Sequence, residues 1–338
     1  MENYRYKVSV IVPIYNAGNH LRRCLDSLVN QTLKELQLIL VLDKPTDGSD
    51  IIAKEYARAK DIYVIEGRKN VHLGGARNAG LKYVEGKYIG FCDHDDVCDL
   101  QMFENLYHSV EENKADIGFS PFVAVSSSGT ELIYNDYIDS KKATAKNIFL
   151  TTIGLHPSDD SGMRDLSIPK TIWNKLYKAD IIRKYNIKFV DTKIMSPEDT
   201  IFNIEYLCRC STVAFCHEKL YFHIYHNNNT GDSVEYKSII KYVEGLEYIY
   251  DFLKKQGLLD KDDIRERFYN TVKFHICTTS IVEFKKRGAI SIFRKLRQVR
   301  LKSFVEKAYR NTGDTVYRGS CSKRQKIINS IIKGIILK

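Results

Sequence analysis

The first 110 residues switch repeatedly between two hydrophobic periods, and that switching restricts the chain to a small set of folds. Short apolar runs at residues 8–14, 36–42, 62–65 and 88–92 have the length and continuity of strands buried on both faces. Between them, residues 18–29, 51–59 and 76–84 carry apolar side chains at helical spacing, with Leu21, Cys24, Leu25 and Leu28 on one face of the first. Strand and helix in alternation build βαβ units and a mostly parallel sheet. Ligands of such sheets bind beyond the carboxyl ends of the strands, so chemistry is expected just after each run. Residues 115–225 are less regular, and residues 238–307 read as helical.

The residues at those strand ends are chemically uneven. The fourth run passes directly into Asp93-His94-Asp95-Asp96. Three carboxylates in four residues repel one another unless a cation compensates, and two at x, x+2 spacing on an extended turn can hold a divalent ion through oxygen ligands. The first run ends in Pro13-Ile14-Tyr15-Asn16 and the second in Leu42-Asp43, followed by a turn containing Thr46 and Asp47. A carboxylate at a sheet edge can accept from a pyrimidine N–H and a tyrosine can stack on a base. Equally, Thr46 or Asp47 can simply cap the next helix. The segment from His72 through Gly74-Gly75-Ala76-Arg77 to Gly80 offers glycines, a helix start and a fixed positive charge, all suited to an anion. It is not the dinucleotide-binding glycine pattern, which disfavours a nicotinamide dehydrogenase.

In order and spacing, Val8 to Asn16, Leu42-Asp43 with Asp47-Gly48-Ser49, Gly75-Ala-Arg-Asn-Ala-Gly80 and Asp93-His-Asp-Asp96 resemble the family 2 glycosyltransferases of GT-A fold, of bacterial polysaccharide type. Two later segments are similar to the family as well: Trp173-Asn-Lys-Leu-Tyr177, and Ser196-Pro-Glu198-Asp199-Thr-Ile-Phe202. The resemblance implies a Rossmann-like GT-A domain over residues 1–225, divided into a nucleotide-sugar half (1–110) and an acceptor-side half (111–225). A helical C-terminal region, 226–338, follows. It implies an inverting, metal-dependent enzyme moving a sugar from a nucleotide sugar, UDP-linked, to a glycan or lipid-linked acceptor. Asp43 would contact the base, with Pro13 and Tyr15 lining its pocket. Arg77 and Asp93 would contact the nucleotide. Asp95, with Asp93, would bind Mn2+ or Mg2+, and Asp199 would be the general base, supported by Glu198. The turn after the second run departs from the family pattern: it lacks one carboxylate and one glycine.

A single base and no enzyme nucleophile give one displacement and hence inversion. Read without the upstream motifs, Glu198-Asp199 is an acidic pair at a helix start after Pro197. Trp173, the sole tryptophan, can line an acceptor site or fill a core. His217, His223 and His226 cluster around an aromatic strand and are either core and surface residues or helpers of the metal or diphosphate. Cys208-x-Cys210 with Cys216-His217 is read as buried thiols rather than a zinc site. A nucleotidyltransferase is the first rival, and lacks its basic, glycine-rich loop after the first run. A non-catalytic membrane-associated scaffold of the same fold is the second, and has no need of both acidic pairs.

The net charge of +10 is unevenly placed. Residues 284–338 carry 16 Lys and Arg against 2 acidic residues, while the other 283 residues carry 36 against 40. Isoleucine pairs at 327–328, 331–332 and 335–336, flanked by Lys323, Arg324, Lys326, Lys333 and Lys338, suit a basic amphipathic helix on an anionic membrane surface. The alternative is a helix packed on the protein body. Nucleic acid is not expected, because the faces are aliphatic. No apolar stretch reaches transmembrane length, and the N-terminus lacks a signal-peptide core. The expected location is cytoplasmic, peripheral on the inner face of the membrane.

Overall fold

The four apolar runs and the helices between them form as the periodicity predicts, in a computed structural model. It describes residues 4–59, 62–126, 129, 131–135, 143–154, 156, 159, 170–225, 238–311 and 323–337. In chain order the first elements are β1 (Tyr6–Ile14), α1 (His20–Val29), β2 (Leu36–Leu42), α2 (Ser49–Ala59), β3 (Tyr63–Glu66), α3 (His72–Leu81) and β4 (Gly86–Phe91). The middle of the chain adds β5 (Val97–Cys98), α4 (Met102–Glu112), β6 (Ile117–Phe119), β7 (Phe122–Ser126), β8 (Glu131–Asn135), α5 (Ala145–Ile153), β9 (Lys175–Lys178) and α6 (Ala179–Tyr185). Then come α7 (Glu198–Leu207), β10 (Val213–Phe215), β11 (Tyr221–Tyr225), α8 (Ile239–Lys255), α9 (Asp262–Val299), α10 (Ser303–Asn311) and α11 (Lys323–Ile336).

The chain divides into two compact units. The first comprises Met1–Ala145, Lys170–Thr192 and Tyr206–Asn227, and the second Lys146–Pro169, Lys193–Glu205 and Asn228–Lys338. The first unit holds both sheets. A seven-stranded sheet runs β10-β6-β9-β4-β1-β2-β3. Its β4-β1-β2-β3 portion is parallel, and β9 enters antiparallel between β4 and β6. A four-stranded sheet runs β5-β11-β7-β8.

Central β1 is buried from Val8 through Ile14, which is why its sequence is apolar on both faces instead of alternating. Its one polar interruption is fully bonded: Ser9 Oγ donates to Gln37 Oε1 at 2.5 Å and accepts from Gly86 N at 2.9 Å. Gln37 Nε2 in turn donates to the Tyr83 carbonyl at 3.0 Å. Those bonds fix the entry of β4 against β1, as a buried polar pair must if it is not to be destabilising.

The glycines before and within α3 serve packing. A Cβ on Gly80 would lie 2.6 Å from the Ile11 side chain, and one on Gly74 would lie 2.2 Å from the Val190 carbonyl oxygen. The absent side chains let α3 seat directly on β1 and on the segment after α6. That is a different use of these glycines from the anion approach the sequence suggests.

The second unit is helical. Its buried ion pairs are matched: Arg267 on α9 forms a two-point contact with Asp159 at 2.5 and 2.8 Å, and both side chains are buried. The three isoleucine pairs of α11 divide between two environments. Ile332 and Ile336 are buried, while Ile327 and Ile331 are exposed. Asn329 is also buried, and its Oδ1 accepts from Tyr309 Oη of α10 at 3.4 Å. No described helix is long and apolar enough to cross a membrane.

Candidate active site

Parallel β4, β1 and β2 lie side by side, so their carboxyl ends open on one edge. Ile14 is level with Leu42, and Ile11 with Phe91. Tyr15, Asp43 and Asp93 therefore leave neighbouring strands at the same edge, although they are far apart in sequence. Tyr15 exposes its ring, while Pro13 is buried within β1. The Pro13 carbonyl lies 3.0 Å from His94 Nδ1. A carbonyl can only accept, so that nitrogen carries the proton.

Asp43 is buried, and its Oδ1 accepts from the Val71 N–H at 2.7 Å. Burial pushes its carboxyl above the ordinary range, against the opposing pull of Val71 N–H and the neighbouring His72. Asp47 is a fastener between loops. Its Oδ1 accepts from Ser49 N at 3.1 Å and Ser49 Oγ at 2.6 Å, and its Oδ2 accepts from Gly18 N at 2.7 Å. Burial opposes ionisation of Asp47, but these hydrogen bonds outweigh it and hold the carboxyl low. The capping role expected for Asp47 is thus what it performs at the start of α2.

The three acids after β4 have three different fates. Asp96 is completely buried and accepts from Tyr221 Oη at 2.6 Å, from Ile224 N at 2.8 Å and from His223 Nδ1 at 3.1 Å. Asp93 is partly exposed and pairs with Arg77 at 3.0 Å. Asp95 is half-buried, and its carboxylate has no hydrogen bond or ion pair among the described residues. The turn thus contains one structural acid, one shared acid and one with its lone pairs open to a ligand.

Arg77 reaches the site through Asp93. Its guanidinium is buried and sits 5.3 Å over the Phe189 ring, so it holds Asp93 in place from behind. His223 is held in the same indirect manner. Burial would lower its pKa, but the hydrogen bond and charge of Asp96, with Asp93 and Asp95 nearby, raise it. Its ring is parallel to Trp173 at 5.5 Å, and Trp173 stacks on Tyr221 at 4.2 Å. Trp173 is buried and also meets Phe122 edge-on at 4.8 Å. Of its two expected uses it takes the core one, as the platform behind Tyr221 and His223. His223 Nε2 has no hydrogen-bond partner among the described residues. His226 lies outside the described residues. Cys210 donates to the Tyr206 carbonyl and Cys216 to Glu218.

Two members of this cluster escaped the sequence reading. Asp96 stands beside the x, x+2 pair but is locked to β11, 125 residues on. His94 reaches back to β1. Neither contact has a local signal. Only the aromatic strand containing Tyr221 and His223 hinted at the first.

In the second unit, Glu198 and Asp199 open α7. Glu198 is buried at 2% exposure and Asp199 is half-buried, so Asp199 is the one of the pair that a substrate can reach more readily.

The divalent ion implied for the site can be tested against these residues. Asp95 presents open oxygens beside Asp93, the hard-ligand chemistry that Mg2+ and Mn2+ prefer. Among the described residues no group of three His, Cys, Asp or Glu side chains could hold a metal unaided. The set fits an ion whose coordination a diphosphate completes.

The parallel sheet, its crossing strand and the acids at its edge define a GT-A domain followed by a helical region. Residues 9–167 match the family model for glycosyl transferase family 2, and this segment of the chain belongs to that family. It is 29% identical over 321 residues to the uncharacterized glycosyltransferase EpsJ of Bacillus subtilis, covering 90% of this chain and 86% of that one. It is 27% identical to the poly(ribitol-phosphate) beta-glucosyltransferase of Bacillus spizizenii, over 77% of this chain and 38% of that protein. Among solved structures, S. aureus TarS 1-349 in complex with UDP-GlcNAc superimposes with a TM-score of 0.70 at 17% identity, covering 98% of this chain and 88% of that one. A mannosyltransferase from Pyrobaculum calidifontis, in complex with GDP-Man and Mn2+, superimposes with a TM-score of 0.51 at 12% identity, covering 98% and 88%.

Proposed function

We propose that this glycosyltransferase moves a sugar from a UDP-linked donor to a hydroxyl of a glycan or lipid-linked acceptor, by a single displacement that inverts the anomeric centre. The observation that carries the donor assignment is the division of labour after β4: Asp96 engaged, Asp93 shared with Arg77, and Asp95 open. An acid left unbonded between two bonded ones, at the ligand edge of a parallel sheet, is what a metal-diphosphate site requires. Similar folds that bind UDP-GlcNAc, or GDP-Man with Mn2+, support the same class of ligand.

In this reading Asp43 receives an N–H of the base through the oxygen that Val71 does not occupy, with Pro13 and Tyr15 beside it. Arg77 fixes Asp93, and Asp93 with Asp95 would hold Mn2+ or Mg2+. A bound divalent ion supplies charge neutralisation for the departing diphosphate. Asp199 accepts the acceptor hydroxyl's proton as that oxygen bonds to the anomeric carbon and the bond to the diphosphate breaks. Glu198, buried beside it at the start of α7, supports it. The basic C-terminal region would keep the enzyme at the inner face of the membrane, close to a lipid-linked acceptor.

The test is turnover of UDP-GlcNAc, UDP-glucose, UDP-galactose and GDP-mannose with Mn2+, with Mg2+ and with chelator, reading release of nucleoside diphosphate. Metal-dependent release from a UDP-sugar is expected. No release from any of them would sink the donor assignment, and a product with retained anomeric configuration would sink the single displacement.

A further inference from the structure

Helix α9 consists of two helical arms that meet at a kink. Gly288 has φ 77° and ψ 176°, a left-handed conformation that glycine tolerates and other residues rarely adopt. Glu283 before the break and Lys295 after it form an ion pair at 2.8 Å. In a straight helix these residues would stand about 18 Å apart, farther than the two side chains can span. The helix therefore folds back at Gly288, and the pair clamps the base of the bend. Glu283 is completely buried and also accepts from Ile239 N at 3.0 Å, so the clamp is anchored in the second unit.

The first part of the bend is exposed. Residues 284–290, Phe-Lys-Lys-Arg-Gly-Ala-Ile, form an unbroken run of seven exposed positions. Ile290 is 79% and Phe284 53% exposed, and Phe293 on the returning arm is 45% exposed with Arg297 stacked on its ring at 4.8 Å. From residue 284 to 302 the chain has eight Lys and Arg and no Asp or Glu. Large apolar groups held in water at a bend are unfavourable unless something covers them. Here they are ringed by cations, and the cover must be both apolar and anionic.

We propose that this bend is a docking tip for an anionic lipid surface. Phe284, Ile290 and Phe293 enter the boundary between headgroups and acyl chains, while Lys285, Lys286 and Arg287 meet lipid phosphates. A soluble polyanion would satisfy the cations but leave the phenyl and butyl groups in water, which favours the bilayer. The inference is independent of the donor chemistry. It also places the contact in α9, where the sequence pattern alone points to the final helix; α11 has already turned Ile332 and Ile336 into the protein.

The full chain should be co-sedimented with phosphatidylcholine vesicles with and without phosphatidylglycerol. Binding should require the anionic lipid and weaken with salt. The triple variant K285A/K286A/R287A should bind roughly 100-fold more weakly, and F284S/I290S roughly 10-fold more weakly, with unchanged thermal melts because every altered side chain is exposed. A direct reading comes from Ile290→Trp: the native Trp173 is buried, so fluorescence quenched by brominated lipid reports insertion of the tip. Wild-type binding by both multiple variants, or no quenching in a vesicle-bound protein, overturns the proposal. So does a loss of vesicle binding only on deleting residues 323–338, which would return the contact to the tail. Equal loss of polyphosphate and vesicle binding in the triple variant, with none in F284S/I290S, would make the tip a polyanion site instead.

Discussion

The two units treat acidic side chains in opposite ways. In the helical unit two buried acids have fixed cationic partners: Asp159 meets Arg267, and Glu283 meets Lys295. In the sheet unit the acids gathered at one edge outnumber the cations that reach them. Arg77 serves Asp93, Asp96 is held by Tyr221, Ile224 and His223, and Asp95 has no such partner among the described residues. A matched pair inside a protein specifies a fold. An unmatched acid at a ligand edge costs stability and is useful only when a ligand brings the missing charge. A run of exposed cations in the helical unit, Lys285, Lys286 and Arg287, lies outside its core at the bend of α9.

The largest test of that contrast is Asp95→Ala. Turnover of a UDP-sugar with Mn2+ should fall by roughly 10³-fold, because the several kcal/mol a metal contributes to the transition state is lost. Its thermal stability should stay within about 0.5 kcal/mol of wild type, as for a surface change. Asp95→Ala that melts early while keeping its activity would mean that the acid is structural after all.

The next effect belongs to the matched pairs. Asp159→Asn should destabilise the chain by about 3 kcal/mol in denaturant titration, since buried Arg267 would be left with only the half-exposed Asp263 as counter-charge. Burial alone would raise the pKa of Asp159, but Arg267 and the His156 N–H more than offset it and hold the carboxyl low. Its contribution is therefore complete above the unfolded carboxylate range, near pH 4, and is lost as pH falls through the lower native value. Asp159→Asn should flatten that acid limb of the stability profile, and an unchanged limb would remove the pair from the account.

Asp199→Asn keeps size and polarity but cannot take a proton. We expect kcat to fall by about 10²-fold with donor affinity nearly unchanged. Weakened donor binding at unchanged kcat would move Asp199 out of the base role. Gly74→Ala asks less of the chemistry and more of the scaffold. A methyl 2.2 Å from the Val190 carbonyl should cost about 1–3 kcal/mol of stability. A neutral result would free that glycine for ligand approach. The smallest effect is expected at Ile331→Ser, which should change stability by no more than about 0.5 kcal/mol because the side chain is exposed. A cost comparable to that of Ile332→Ser would show that both faces of α11 are covered in solution.

By itself, the sequence determined the alternation of β1 to β4 with their helices, the edge at which Asp43 and Asp93 emerge, and the family. Those properties are carried by hydrophobic period and by motifs spaced a few residues apart, and both survive in one dimension. The helical character of the C-terminal region was legible for the same reason. What the tertiary structure alone decided is which member of each motif is occupied. Asp93, Asp95 and Asp96 look equivalent in a row, and only the arrival of β11 with Tyr221 and His223 buries one and leaves another open. Trp173 could line a site or fill a core until its stacking on those two rings fixed it. The isoleucine pairs of α11 were likewise ambiguous, because a helical pattern tells that two faces differ but not which face meets the protein. Contacts between residues more than 100 positions apart are chosen by packing of whole elements, and no local period records that choice.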